Sequence, residues 1–178
     1  MAELFFTADQ HFHHKNIIRY ENRPFASVKE MNEQLIARWN KVVGKRDRTI
    51  ILGDFVFASE QAARDILQQL NGRKGFIKGN HDDERILRKL GDCFEFVKDY
   101  CYLKTNYGHF VLSHYPFMSW EGKSHGSFHL YGHVHSKEPQ NKQPGDLMYN
   151  VGVDVNNYTP VSVFEVLEKL GKRGRDID

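Results

Sequence analysis

The stretch RTIILGD, residues 48–54, decides the fold class. A short, continuous apolar run of this length reads as a strand buried on both faces. Gly53-Asp54 then ends the run with a carboxylate. The pattern opens the chain in ELFFTAD, Glu3–Asp9, and returns in GFIKGNHDD, Gly75–Asp83. Between these runs lie helical patterns. SVKEMNEQLIARWNKVV starts at Ser27 with Glu30 three residues on, a capping-box spacing. Met31, Leu35, Trp39 and Val42 follow at helical intervals as a core stripe, and Gly44 stops the helix. SEQAARDILQQLNG offers Ser59 as a cap, one apolar face of Ala62, Ile66 and Leu70, and Asn71-Gly72 as a stop. Strands alternating with helices predict a parallel sheet with helices outside it.

The second half changes character. FEFVKDYCYLKTNYGHFVLSHYP, Phe94–Pro116, reads as strands with a hairpin turn at Asn106–Gly108. SFHLYGHVH (Ser127–His135) and LMYNVGVDV (Leu147–Val155) read as two further strands. SVFEVLEKLG, Ser162–Gly171, is a closing helix with a Ser162/Glu165 capping box. These hairpins predict a second, mixed sheet. The expected fold is α/β, a two-sheet β-sandwich flanked by helices, in a single domain over residues 1–178.

Composition narrows the function classes. The chain is 40% hydrophobic and 13% aromatic, enough for a sizeable core, with a formal net charge of only +2. No strong field selects nucleic acid or an acidic membrane as partner. The basic run GKRGRD, Gly171–Asp176, reads as a solvated tail. Cys93 and Cys101 fit no CxxC pattern, and the apolar run in MAELFFTADQ is too short for a signal peptide. The expectation is a cytoplasmic protein with free thiols and no membrane span.

In sheets of this kind the ligand crevice lies past the carboxyl ends of the strands. That rule collects Asp9, His11, Asp54, Asn80, His81, Asp82, His114, His133 and His135, each following an apolar run. Carboxylates, an amide carbonyl and imidazoles suit Mn, Fe, Zn, Ni or Co, and no cysteine joins them. Seven ligands exceed the needs of one ion and suit two bridged by a carboxylate. Two divalent ions, two carboxylates and a bridging hydroxide leave a charge of about +1, which attracts a phosphate ester. His133 and His135 are expected to reach this site from one side of an extended segment.

The order Asp9-x-His11, Gly53-Asp54, Gly79-Asn80-His81-Asp82, His114 and Gly132-His133-Val134-His135 resembles the five-block signature of the calcineurin-like metallophosphoesterases. NVGVDVNNYTPVS is also similar to the closing stretch of their small bacterial and bacteriophage members. The resemblance implies a four-layer αββα fold and two metal ions. It places Asp9, His11 and His135 on the first ion, Asn80, His114 and His133 on the second, and Asp54 as the bridge. It makes His81 the general acid that protonates the leaving oxygen, with Asp82 orienting its ring. Glycines 53, 79 and 132 would let the backbone turn tightly at the site. Manganese is the expected metal.

The implied activity is hydrolysis of a small phosphate ester by a metal-bridging hydroxide, with a phosphodiester preferred. A phosphomonoesterase and a non-catalytic interaction scaffold of the same fold are the alternatives, and a nuclease ranks below them. His13, Arg23 and Tyr115 are candidate substrate contacts, Arg23 as a phosphate clamp. The Tyr115–Gly126 loop is either a substrate wall or a surface loop over a partly buried Trp120.

Overall fold

The computed structural model of the chain describes residues 2–137 and 145–172, so most of the basic run at 171–176 lies outside the described residues. The first half runs β1 (Leu4–Thr7), α1 (Lys15–Tyr20), α2 (Val28–Val42), β2 (Arg48–Leu52), α3 (Glu60–Gln69), β3 (Arg73–Ile77), α4 (Glu84–Lys89) and β4 (Val97–Lys98). The second half supplies β5 (Tyr100–Thr105), β6 (Gly108–Ser113), β7 (Phe128–Tyr131), β8 (Met148–Asn150), β9 (Val161–Ser162) and α5 (Val163–Lys169).

Two sheets result. The first has order β4-β3-β2-β1-β9, with β1 to β4 parallel and β9 antiparallel to β1. The second has order β5-β6-β7-β8, where the β5–β6 hairpin is antiparallel and β6, β7 and β8 are parallel. This is the expected α/β architecture of two sheets flanked by helices.

The alternation of side chains along the strands builds the layers. Phe5, Ile51 and Phe76 face a helix-side core with Met31, Leu35 and Trp39 of α2 and Ala63, Ile66 and Leu67 of α3. Their neighbours Phe6, Ile50, Leu52 and Ile77 face the other way. They meet Phe110, Leu112 and Leu130 of the second sheet and Val163, Val166 and Leu167 of α5. Trp39 is 1% exposed and donates its indole N–H to the Asn71 carbonyl at 3.1 Å, so its polar edge is satisfied. Trp120 is buried with Val111, Tyr131 and Met148, as the core of the loop that follows β6.

The helix starts are capped where the sequence places caps. Ser27 Oγ accepts from the Glu30 amide and Ser59 Oγ from the Ala62 amide, while Ser162 and Glu165 bond reciprocally at 3.2 and 2.7 Å. Each such cap contributes about 1 kcal/mol. Helix α1 was not expected, and α4, after β3, continues the strand–helix alternation without a sequence pattern of its own. At six residues each they are too short to show a helical period.

Two expected strands stop early. β8 ends at Asn150, and Val153–Val155 form a turn of 3-10 helix. β7 ends at Tyr131, and His133 and His135 have φ of 71° and 50°. The two histidines therefore lie on a tightly turned loop, not on an extended segment. Among the described residues, no helix is long and apolar enough to cross a membrane.

Candidate metal centre

The site is assembled from loops that leave the carboxyl ends of β1, β2, β3, β6, β7 and β8. Backbone hydrogen bonds zip these loops together within each sheet. Asp9 N donates to Gly53 O at 3.0 Å, His11 N to Asp54 O at 3.0 Å and Gly132 N to His114 O at 3.0 Å. Ala8 pairs in parallel with Gly152, which ties β1 of one sheet to the end of β8 in the other.

Close approach requires glycine at two of these positions. A Cβ on Gly53, whose φ is +83°, would sit 2.6 Å from the Gly79 backbone and from His114 Nδ1. A Cβ on Gly132 would sit 2.6 Å from an Asp9 carboxylate oxygen. The backbone is also strained in a pattern. Asp9, His11, Asp54, His133 and His135 all have positive φ, between 50° and 71°. Such conformations are unfavourable for residues with a Cβ and concentrate where the surroundings hold functional groups in place.

Two groups of side chains can each hold a metal ion. Asp9, His11 and His135 form one, and Asp9, Asp54 and His114 form the other, with ligand atoms within 4.8 Å of one another in each. Asp9 is thus common to both groups. Asp54 also lies between them, its Oδ2 3.7 Å from His11 Nε2 and 3.5 Å from His114 Nε2. Asn80 Oδ1 is 3.0 Å from His114 Nε2. His133 donates its backbone N–H to both Asp9 carboxylate oxygens, and its ring packs against those of His114 and Tyr115 at 5.1 and 4.7 Å.

The imidazoles are oriented for coordination. His114 Nδ1 lies 2.8 Å from the Leu52 carbonyl, which can only accept, so Nδ1 carries a proton and Nε2 faces Asp54 and Asn80. His135 Nδ1 lies 2.7 Å from Asp154 Oδ2, which fixes that ring in the same way. Metal-binding histidines are held by such partners on the other nitrogen. His11 Nε2 is buried and has no hydrogen-bond partner. A buried orphan nitrogen beside a carboxylate fits a cation between them. Asn80 Oδ1 and His114 Nε2, two acceptors when the ring is neutral, likewise need a proton or a cation between them. The donor set therefore fits divalent metal.

Electrostatics agree with a cation site. Burial pushes the Asp9 carboxyl up to about 7, against the pull of His114 and His135. Burial also pushes Asp54 upward, but its contacts with His114 and the His81 amide outweigh this and hold it down at about 2. Burial drives His11 down to about 2, so that ring stays neutral. Burial opposes charge on His114 and His135 too, yet Asp54 and Asp9 raise the first and Asp154 the second above the usual imidazole range.

Two expected roles are corrected. Asp82 does not orient His81. Its Oδ2 accepts from the Asp54 and Gly79 amides at 2.8 Å each, and its Oδ1 accepts from Phe55 N at 3.0 Å. It pins the turns after β2 and β3 together, and its oxygens are spent on backbone. Arg23 is no phosphate clamp. It is 4% exposed, and its guanidinium grips both Asp154 oxygens at 2.8 and 2.9 Å and the Asp9 and Gln10 carbonyls at 2.7 and 2.8 Å. Arg23 braces Asp154, which holds His135.

His81 is exposed at the rim, its ring 5.9 Å from that of His11 and 5.2 Å from Phe57. Tyr115 is 44% exposed beside His114 and His133. His13 is exposed, its backbone N–H donates to Asn32 Oδ1, and it belongs to neither group of ligands. Asp154, Phe57 and His14 complete the surroundings and were not singled out in the sequence as supports. Asp154 follows an apolar run as Asp9 and Asp54 do, a signal by which it could have been found.

No protein-family model matches the chain. It is 37% identical over 180 residues to the uncharacterized protein MJ1445 of Methanocaldococcus jannaschii, covering 98% of this chain and 94% of that protein. The gene 66 proteins of two Mycobacterium phages are 27% and 29% identical, each over 86% of this chain and over 89% and 87% of their own lengths. Among solved structures, a protein of unknown function from Aquifex aeolicus, AQ665, superposes with a TM-score of 0.77 at 26% identity, covering 95% of this chain and all of that one.

Proposed function

The chain belongs to the same family as the uncharacterized MJ1445 protein of Methanocaldococcus jannaschii, and on the chemistry of its strand-end site we propose that it is a calcineurin-like metallophosphoesterase that hydrolyses small phosphodiesters. One observation carries this reading: the Nε2 atoms of His11 and His114 turn toward Asp54, with His11 Nε2 buried and unbonded.

Asp9, His11 and His135 would hold one divalent ion, and Asn80, His114 and His133 the other, with Asp54 and Asp9 reaching both. Manganese is the expected ion, and iron, zinc, nickel or cobalt suit the same donors. When bound, such a pair supplies a hydroxide nucleophile at neutral pH and a positive anchor for phosphoryl oxygens. The protein's own part is to hold these donors rigidly and to move one proton. His81, exposed at the rim, donates that proton to the departing alkoxide.

The fate of Arg23 supports a diester over a monoester. A doubly charged monoester is held best by a free guanidinium, and the arginine nearest the site is committed to Asp154 and two backbone carbonyls. The free thiols Cys93 and Cys101 support a reducing, cytoplasmic setting. With manganese added, the purified protein should hydrolyse bis-aryl phosphate faster than mono-aryl phosphate. The reverse ranking would overturn the diester preference, and no hydrolysis of either would overturn the enzyme.

A further inference from the structure

Two imidazoles of the site have their Nδ1–H groups anchored, His114 on the Leu52 carbonyl and His135 on Asp154. His11 has neither kind of partner. Its Nδ1 lies 3.2 Å from Nδ1 of another imidazole, His14. We infer that His14 is a positioning residue: its neutral ring accepts the His11 Nδ1–H bond and so keeps His11 Nε2 bare and directed at Asp54. The inference rests on the metal-centre reading above and adds a residue to it.

The proton count supports this assignment. Two facing ring nitrogens at hydrogen-bond distance share one proton, and one of them carries it. If His11 carried its proton on Nε2, that N–H would be buried with no acceptor, because Nε2 makes no hydrogen bond and Asp54 Oδ2 is 3.7 Å away. Burying an unsatisfied donor forfeits its hydrogen bond to water with nothing in return. Placing the proton on His11 Nδ1 removes that cost, satisfies the contact with His14 and leaves Nε2 as a free lone pair. His14 then carries its own proton on Nε2.

The ring of His14 is itself held for this task. It stacks on Phe57 with centroids 4.1 Å apart and planes 19° from parallel, and Tyr20 meets it edge-on at 6.3 Å. Phe57 is fixed in turn by its backbone N–H, which donates to Phe12 O at 2.8 Å. His14 N also donates to His11 O at 3.0 Å, so the two residues are clamped by backbone as well as by ring nitrogens.

The test uses the full chain and zinc, which is diamagnetic. Nitrogen-15 NMR of the metal-free wild type should show His11 protonated on Nδ1 and His14 on Nε2. Zinc titration should then give tight binding to the wild type and weakening of about 10–100-fold at one ion for His14→Phe, which keeps the stack on Phe57 and loses the acceptor. His14→Asn, whose amide oxygen can replace Nδ1, should restore most of that affinity. Unchanged zinc binding in His14→Phe, or a His11 proton on Nε2 in the wild type, would overturn the role of His14 alone. Failure of the wild type to take up zinc would overturn the metal centre itself and this inference with it. The tautomer measurement on the wild type stands even if the phenylalanine variant does not fold.

Discussion

The bodies of β1 and β2 and the loops that leave them follow opposite rules. Within the strands, Phe6, Ile50 and Leu52 are apolar and fully buried on relaxed, extended backbone. A few residues further on, Asp9, His11 and Asp54 are polar, equally buried and held in left-handed backbone. Burying an aliphatic side chain stabilises the fold by about 1.5–3 kcal/mol, whereas a strained residue costs about 1–3 kcal/mol. The strands and helices thus supply the stability that the loops consume. Strain is tolerated where it aims ligand atoms at a common point. Stability and function should therefore be separable by mutation.

The largest effect is expected at Asp54. Asp54→Asn keeps an oxygen for the His81 amide but removes the charge shared by the two groups of ligands. It should lose at least one ion and on the order of 10³-fold of turnover, with metal-free stability within about 1 kcal/mol of the wild type. Elemental analysis with thermal unfolding checks both parts. Trp39→Ala acts on the other side of the comparison. It should cost about 3–5 kcal/mol in denaturant unfolding and leave turnover per folded molecule unchanged. A large loss of turnover in the folded fraction would break the separation.

His81→Ala is expected to be milder for chemistry and silent for stability. It should retain both ions and lose about 10²-fold of turnover or more with a poor leaving group, and least with nitrophenolate. Loss of metal in this variant would mean that His81 is a ligand.

The smallest effect is on metal affinity with pH. The raised Asp9 carboxyl, at about 7, and the raised His114 and His135 rings carry protons in the metal-free site as pH falls. Those protons compete with metal, so loading should release protons, and affinity should drop as pH falls through 7, about tenfold per unit for each proton displaced. Calorimetry in buffers of different ionisation enthalpy reads the number released.

The same contrast explains what could be read from the sequence. Apolar runs and Ser caps are local signals, so the long helices α2 and α3, the hairpin and both sheets were legible. Asp9, His11, Asp54, His114 and His135, the residues whose ligand atoms cluster, were legible because each follows an apolar run, and the five-block order tied them together. The supports were not. Arg23 and Asp154 lie 131 residues apart in the chain and meet only once β8 docks beside β1. Asp82 follows His81 directly, and the family resemblance implied that it orients that ring. Only the folded turns show three backbone amides converging on its oxygens. The left-handed loop at His133 was hidden because GHVH alternates as a strand does.

The most direct measurement is the number of manganese ions bound per chain at saturation, by equilibrium dialysis and elemental analysis of wild type and Asp9→Asn. The geometry predicts two for the wild type and a loss in the variant, because Asp9 belongs to both groups of ligands. One ion or none in the wild type, or two in both proteins, would contradict the two-ion centre.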